Sequence, residues 1–502
     1  MTPMRKPRTR GARIGLVAAV FLGLAVPIVA LAAARGSDDN LESTPSVVSA
    51  GSEGSTAPTA SPSFERDVAP ILQQKCAGCH QVGGIAPFAF DSARSASSRA
   101  SLIVAAIEAG AMPPWPPGPR SPAYVGERAR TLTSAERTTI LAWAKTGRST
   151  DGPARKPLPP SHPRAEDGER SLKIAMPTVY RPQPQPGTTD DYRCFVLDPR
   201  LDEDVSVTSA RIEPGASKVV HHVILFRIPA SQAAEAARLD AAATGPGWTC
   251  FGGTGIADGS LNDANWVAAW APGGEGGRLP EGTGVPLESG SKIVMQVHYN
   301  LLNGKKPDRS RAVLTVAPAN AGLDEVRTML LPAPVELECA DSERGPLCDR
   351  SAALVELSRK YGPQAGFVPS GLLLLCGRSA ANVEPSSVSS CDRRIREAVK
   401  ILVAAGHMHF LGSSIRIELN PGTSSARTLL DIPRWDFHWQ GSYTLEEPLE
   451  AKAGDVVRVT CRHDVTRRRH GTHGVPKTPR YILWGEGTTD EMCLGLLQVT
   501  SG

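Results

Sequence analysis

The chain reads as a multidomain protein, with one small all-α domain followed by two all-β sandwiches of jelly-roll-like character. Three observations point there. Helical signals concentrate in residues 63–150. From about residue 171 the texture changes to short apolar or alternating segments punctuated by Pro-Gly and Gly-Gly turns, as in sandwiches. The 502 residues include 43 prolines and 48 glycines, with 21% charged, which favours many short strands and leaves room for about three domains.

In chain order, residues 1–34 read as a signal peptide or membrane anchor. Arg5, Lys6, Arg8, Arg10 and Arg13 precede the uncharged apolar run Ile14–Ala34, and Ala32-Ala33-Ala34 offers small residues for cleavage. The run has 21 residues, longer than an ordinary signal core, so an uncleaved membrane tether stays open. No cysteine follows it, which argues against a lipoprotein. Without these five positive charges the formal charge of +4 falls to −1, which gives no reason to invoke nucleic acid. Residues 35–62 are Ser, Gly, Thr, Pro and Ala with scattered acids, a flexible linker.

The small domain, 63–150, carries Cys76-Ala-Gly-Cys79-His80. Two thiols three residues apart can add to the vinyl groups of a haem while the next imidazole reaches the iron, so C-x-x-C-H reads as attachment of one covalently bound haem c. The alternatives are a redox dithiol or half a zinc site. The segment resembles small c-type cytochromes, with Gly83-Gly84-Ile85-Ala86-Pro87-Phe88 and then Ala111-Met112-Pro113-Pro114-Trp115-Pro116 downstream. Met112 is the candidate second axial ligand, with a core methionine as the alternative. Phe64–Leu72 opens a helix before the motif. Leu132-Thr-Ser-Ala-Glu136 starts a closing helix whose Ile140, Leu141 and Trp143 would cover the haem edge. Haem attachment of this kind places the chain in a periplasmic or extracellular compartment, anchored to the inner membrane if residues 14–34 are retained.

Residues 151–170 form a Pro-rich linker. The two sandwiches are expected at 171–325 and 326–500, with strands such as Val205–Ala210, Lys218–Phe226, Ile293–Tyr299 and Ala312–Val316 in the first. Ala398–Phe410, Ser414–Leu419, Asp455–Arg462 and Arg480–Trp484 are those of the second. Besides Cys76 and Cys79, eight cysteines can form four disulfides among 105 connectivities. Cys461–Cys493 and Cys194–Cys250 are the pairs expected, without proof from sequence.

Most histidines after His80 fall in apolar strands. On a strand, His407 and His409 share a face, so both can reach one ion while Met408 points away. The adjacent pair His221-His222 would face opposite sides unless a twist or bulge intervenes. A satisfied core imidazole is the bland reading for any one of them. Three clusters, with His298 in Val294-Met-Gln-Val-His-Tyr299, favour metal binding.

Lys218-Val-Val-His221-His222-Val, Gln296-Val297-His298-Tyr299, Gly406-His407-Met408-His409 and Asp490-Glu491-Met492-Cys493 occur in one order, joined by Trp270-Ala-Pro-Gly273 and Trp484-Gly485. Over about residues 171–500 the pattern resembles the copper type II, ascorbate-dependent monooxygenases, the family of peptidylglycine α-hydroxylating and dopamine β-monooxygenases. The resemblance implies two copper ions. His221, His222 and His298 would hold an electron-shuttling copper. His407, His409 and Met492 would hold the catalytic one, where a soft thioether favours Cu(I). Taken alone, Met492 would pass for core packing beside a disulfided Cys493.

There are departures. Where the peptide-amidating member uses an arginine on the substrate carboxylate, this chain has Ala405, and Leu494, Gly495 and Leu496 replace polar residues after Met-Cys. A less polar substrate than a glycine-extended peptide follows. Within Arg462–His473, His470 and His473 read as part of a solvated basic loop, with metal binding as the alternative, and His438 either lines the substrate cleft or simply packs and receives no role.

The expected function is an exported dicopper monooxygenase that hydroxylates a C–H bond of a small organic substrate with O2. Its electrons would come from an external reductant, ascorbate-like or a redox protein, through the fused haem and into the His221/His222/His298 copper. Each turnover consumes two electrons, so the haem would act twice, and the short linker supplies a high local concentration without a rigid interface. The alternatives are a non-catalytic haem/copper electron-transfer or copper-handling protein, and a haem-based sensor.

Overall fold

In the computed structural model, residues 1–60, 151–164 and 469–476 lie outside the described residues, as do positions 78, 82–85, 87, 91, 147, 149, 185–186, 257–258 and 272–275. The signal or anchor segment, the 35–60 part of the first linker, Gly83–Ile85, Pro87, Pro272, Gly273, His470 and His473 are therefore outside the described residues.

The regular structure described within residues 64–145 is helical. A short π turn, Phe64–Val68, runs into α1 (Ala69–Lys75), followed by α2 (Ala93–Ser97), α3 (Ala100–Glu108), α4 (Glu127–Arg130) and α5 (Ser134–Lys145). The last starts at a capping box. Thr133 Oγ1 accepts the Glu136 N–H and the Glu136 carboxylate accepts the Thr133 N–H. Phe64, Val68, Leu72, Ile103, Ile107, Ile140 and Trp143 form the core of this unit, with Trp143 fully buried.

The rest is mostly β-sheet, arranged as sandwich-like pairs. In the first pair, one sheet runs Arg170–Ala175, Arg311–Pro318, Val205–Glu213, Thr283–Leu287, and its partner runs Trp248–Thr249, Asp190–Leu197, Lys292–Asn300, Val220–Ile228, Trp266–Trp270. In the second pair, one sheet runs Arg327–Pro332, Leu494–Ser501, Val399–His407, Ser442–Ala451, and its partner runs Val388–Arg394, Val456–His463, Gly412–Leu419, Arg427–Ile432. Alternating apolar residues fill each interior: Phe195, Val223, Leu225, Met295 and Val297 in the first, and Ile401, Ile415, Ile417, Val457 and Val459 in the second. Leu402 and Val403 of the second sandwich pack into the core of the first, joining the two.

Three helices were not expected from sequence: α6 (Ala233–Ala242) and a hairpin of α7 (Arg350–Tyr361) and α8 (Pro363–Leu375). Within α8, Gly366, Pro369 and Gly371 obscure the 3.6-residue period, and Leu372–Leu375 is an unbroken apolar run that resembles a strand. Four disulfides close loops: Cys194–Cys250, Cys339–Cys348, Cys376–Cys391 and Cys461–Cys493. They suit an oxidising compartment. Among the described residues no helix is long and apolar enough to cross a membrane.

Candidate metal centre

The pairing of Val220–Ile228 with Lys292–Asn300 is regular from His222 onward and shifts register between Val220 and His222. That irregularity turns His221 and His222 to the same side, as a shared site requires. The ligand atoms of His221, His222 and His298 lie within 4.8 Å of one another. Their Nδ1 atoms converge: His221 to His222 is 3.3 Å and His222 to His298 is 3.4 Å. The proton positions explain why this needs a cation. His298 Nε2–H donates to Asp190 Oδ1 at 2.9 Å, which leaves Nδ1 as a lone pair. The Tyr192 hydroxyl, 3.1 Å from that Nδ1, donates its proton to the Glu486 carbonyl at 2.6 Å. Burial, reinforced by the neighbouring imidazoles, holds His221 and His222 well below the ordinary histidine value, so both are neutral. A buried set of imidazole nitrogens aimed at one point fits a copper ion.

In the second sandwich, the rings of His407 and His409 are 5.1 Å apart at 87°. Met408 between them is fully buried in the sandwich core, on the opposite side. His407 Nδ1 bonds to Gln440 Oε1 at 2.5 Å and His409 Nδ1 to the Asp490 carbonyl at 3.2 Å, which leaves both Nε2 atoms for a ligand. Burial brings His407 down to about 4 and His409 well below its ordinary value. One buried carboxylate ties the group together. Glu491 Oε1 accepts the backbone N–H of His409 and, at 3.0 Å, that of Met492, while Oε2 accepts that of Leu411 at 2.8 Å. Met492 is thereby held beside the His409 backbone and is 4% exposed. The two imidazoles fit copper as well, and a thioether added from Met492 would bias the ion to Cu(I).

The two groups come together, with the His222 and His407 rings 6.0 Å apart. Segment 435–440 of the second sandwich packs against both: Phe437 stacks on His221 at 4.4 Å and Gln440 engages His407. Residues 486–492 bridge the groups from the other side. Thr488 donates through its N–H and its hydroxyl to Asp190, while Asp490 and Glu491 hold His409. Asp190, Tyr192, Phe437, Gln440, Thr488 and Glu491 were missed in the sequence. Two signals could have found some of them: the acids Asp190-Asp191 in an otherwise apolar strand, and Glu491 beside the expected ligand Met492. Ala405, Leu494 and Leu496 share the His407 side of their sheet, since Leu494 pairs with His407 and Leu496 with Ala405. The wall beside His407 is apolar.

In the helical unit, His80 is buried between Phe88 and Phe90, and its Nδ1 bonds to the Phe88 carbonyl at 3.0 Å, leaving Nε2 for an axial bond. Burial also lowers His80, keeping the imidazole neutral. Cys76 and Cys79 stay outside the four disulfides. Burial and the adjacent Cys79 push the Cys76 thiol up to about 12, unlike the depressed thiol of a redox dithiol. These residues fit a haem held by two thioethers and a histidine. Met112 is half-buried after α3.

Other sequence features land elsewhere. His438 is exposed and bonds to Asp436 at 3.1 Å. His470 and His473 lie outside the described residues; before them Arg462 is exposed, while His463 and Arg468 are buried, Arg468 against Glu343 and the Arg480 carbonyl.

The profile of the copper type II ascorbate-dependent monooxygenase N-terminal domain matches residues 173–306, and that of the C-terminal domain matches residues 375–498. Peptidylglycine alpha-amidating monooxygenase of Rattus norvegicus is 24% identical over 335 residues, covering 64% of this chain and 26% of that protein. Peptidyl-glycine alpha-amidating monooxygenase B of Xenopus laevis is 25% identical over 336 residues, covering 64% and 29%. The chain thus spans about a quarter of the length of these relatives. Among solved structures, an allantoicase aligns over 63% of this chain and 90% of its own at 11% identity and a TM-score of 0.14, a likeness too low to carry an argument. Matched in order along both sandwiches, with an imidazole group in each, the chain belongs to the copper type II, ascorbate-dependent monooxygenases, a family that implies two coppers, O2, an organic substrate and an ascorbate reductant.

Proposed function

We propose that this protein is an exported monooxygenase that hydroxylates a C–H bond of a small apolar substrate and draws its electrons through a haem c on residues 63–150. The observation that carries the reading is that the fold brings two buried imidazole groups together, His222 against His407 at 6.0 Å. Copper held at the two groups would supply dioxygen activation at His407/His409/Met492 and one-electron storage at His221/His222/His298.

The chain's own residues do the rest. Asp190 keeps the His298 proton on Nε2, and Gln440 and the Asp490 carbonyl leave the Nε2 atoms of His407 and His409 for a ligand. Phe437, stacked on His221, keeps water out of the space between the groups. Ala405, Leu494 and Leu496 offer no partner for a carboxylate, so an apolar substrate leaves fewer polar groups unsatisfied there. Cys76, Cys79, His80 and Met112 would hold the haem.

Purified full-length protein should contain two coppers and one haem iron per chain, and should consume oxygen in step with hydroxylated product. Met492→Ile should abolish that uptake and leave the haem spectrum unchanged. Full metal content with no oxygen uptake on any apolar substrate would instead favour an electron-transfer or copper-handling protein.

A further inference from the structure

The helical unit does not hang on a tether; it is docked on the second sandwich. Gly118 N–H donates to the Asp431 carbonyl at 2.7 Å, and Ser121 bonds to the same backbone through both Asp431 O and Asp431 N. The Tyr124 hydroxyl donates to the Leu429 carbonyl at 2.7 Å. Val125 N–H meets the Thr444 carbonyl at 2.8 Å and Glu446 N–H the Ala123 carbonyl at 3.1 Å, so residues 123–125 add a short antiparallel bridge beside the Ser442–Ala451 strand. The buried Asp431 carboxylate takes Arg120 at 3.0 Å and Arg416 at 2.9 Å. Gly118 permits the approach, since a Cβ there would lie 2.8 Å from the Pro433 ring. Among the described residues, the hydrogen bonds that join the helical unit to the sandwiches run to residues 429–446.

A line of contacts crosses this interface. Lys75, next to Cys76, bonds to the Arg128 carbonyl in α4, and Arg130 of the same helix lies 5.6 Å from the Trp115 ring. Trp115 meets Tyr443 edge-on at 5.5 Å, with Tyr124 5.3 Å from Tyr443. The Tyr443 hydroxyl lies against Gly441, where a Cβ would be 3.0 Å from it. The adjoining Gln440 reaches His407 at 2.5 Å. We infer that Trp115, Tyr443 and Gln440 form the electron entry from the haem unit into the His407/His409/Met492 group, which is therefore filled before the His221/His222/His298 group.

This rests on the functional reading above, and reverses the order that the sequence suggests. Each transfer moves one electron: the haem iron goes from Fe(II) to Fe(III) as the copper at His407 goes from Cu(II) to Cu(I). No bond or proton changes, and an added reductant of the ascorbate class restores the iron. The rings serve as a packed medium and are not themselves oxidised.

The test uses the full chain with haem and copper, without oxygen. Haem reoxidation after rapid reduction is followed by absorbance, and freeze-quenched EPR reports which Cu(II) signal disappears first. The His407-site signal should go first. Trp115→Leu or Tyr443→Leu should slow haem reoxidation by about tenfold, because a gap replaces the contiguous ring contact. Tyr443→Phe should keep the rate, and thermal melts check that each variant is folded. Protein with His221→Ala and His222→Ala should still reoxidise its haem by one electron per chain, while His407→Ala with His409→Ala should not. First loss of the His221-site signal, or full rates in folded Trp115→Leu and Tyr443→Leu, would overturn the route alone. A chain that takes up no haem or no copper would overturn the functional reading beneath it.

Discussion

Asp190 shows how much one side chain decides. It accepts the His298 Nε2–H and both donors of Thr488, so it sets the imidazole tautomer and also ties the first sandwich to the 486–492 segment. Asp190→Asn could keep the shape but presents an amide N–H to a nitrogen that carries a proton. Outer carboxylates of this kind are worth about 10–100-fold in metal affinity. Copper at the His221 group should weaken by that order in a chelator-competition titration, with the His407 group unchanged. Glu491 plays the matching part in the second sandwich. Glu491→Gln leaves one of three backbone N–H groups facing a donor, an expected loss of about 1–3 kcal/mol in denaturant melts. Neither residue was singled out from sequence, because a second-sphere role depends on partners 108 and 82 positions away. The spacing of His407 and His409 was legible, since a strand's two-residue period is local.

At the scale of elements, the register shift before His222 is the device that makes the first group. A regular strand would bury one of the two adjacent imidazoles in the sandwich. Sequence could state the need for a bulge but not its presence, because the bulge is defined only against the partner strand. The Cys194–Cys250 disulfide depends on a comparable local exception. Gly247 has φ of +67°, and a Cβ there would run into the Cys194 carbonyl and sit 2.8 Å from the Phe195 ring. Gly247→Ala should destabilise the fold by roughly 2–4 kcal/mol, read as a lower denaturation midpoint. At the capping box, Thr133→Ala should cost about 1 kcal/mol and loosen α5 over the Ile140–Trp143 core. That box was readable from Thr133 and Glu136 alone. The α7–α8 hairpin was not, because glycine, proline and an unbroken leucine run mask its period.

For the whole molecule, the buried histidines link stability to pH. In the folded state His407 and His463 titrate near 4, and His221, His222 and His409 lie well below the usual 6.5, with burial the main cause in each. Each therefore binds a proton more readily when unfolded and contributes stability that is present above about pH 6.5 and lost as the pH falls towards 4, whereas Glu486, Asp490 and Glu491, raised by burial to about 7, 6 and 8, contribute stability that is lost as the pH rises through those values. Removing one of the histidine titrations, as in metal-free His463→Gln, should make the fall of melting temperature from pH 6.5 to 4 shallower than in the unaltered chain. Copper should raise the melting temperature at pH 7 and do so less at pH 5, where protons compete for the same nitrogens. A fall as steep in folded His463→Gln as in the unaltered chain would contradict this linkage.

What the sequence determined by itself was carried by short-range pattern: the haem-type Cys76–His80 motif, the shared face of His407 and His409, the need for an irregularity at His221-His222, and the β character of residues beyond 171. The tertiary structure decided which imidazole nitrogen is left for a ligand, because Asp190, Gln440 and the Asp490 carbonyl come from distant strands and loops. It also decided that Phe437 stacks on His221 and that residues 115–125 dock on 429–446. The physical reason is the same throughout. Periodicity and spacing are properties of neighbours along the chain, whereas proton position, burial and docking depend on groups that only folding brings together.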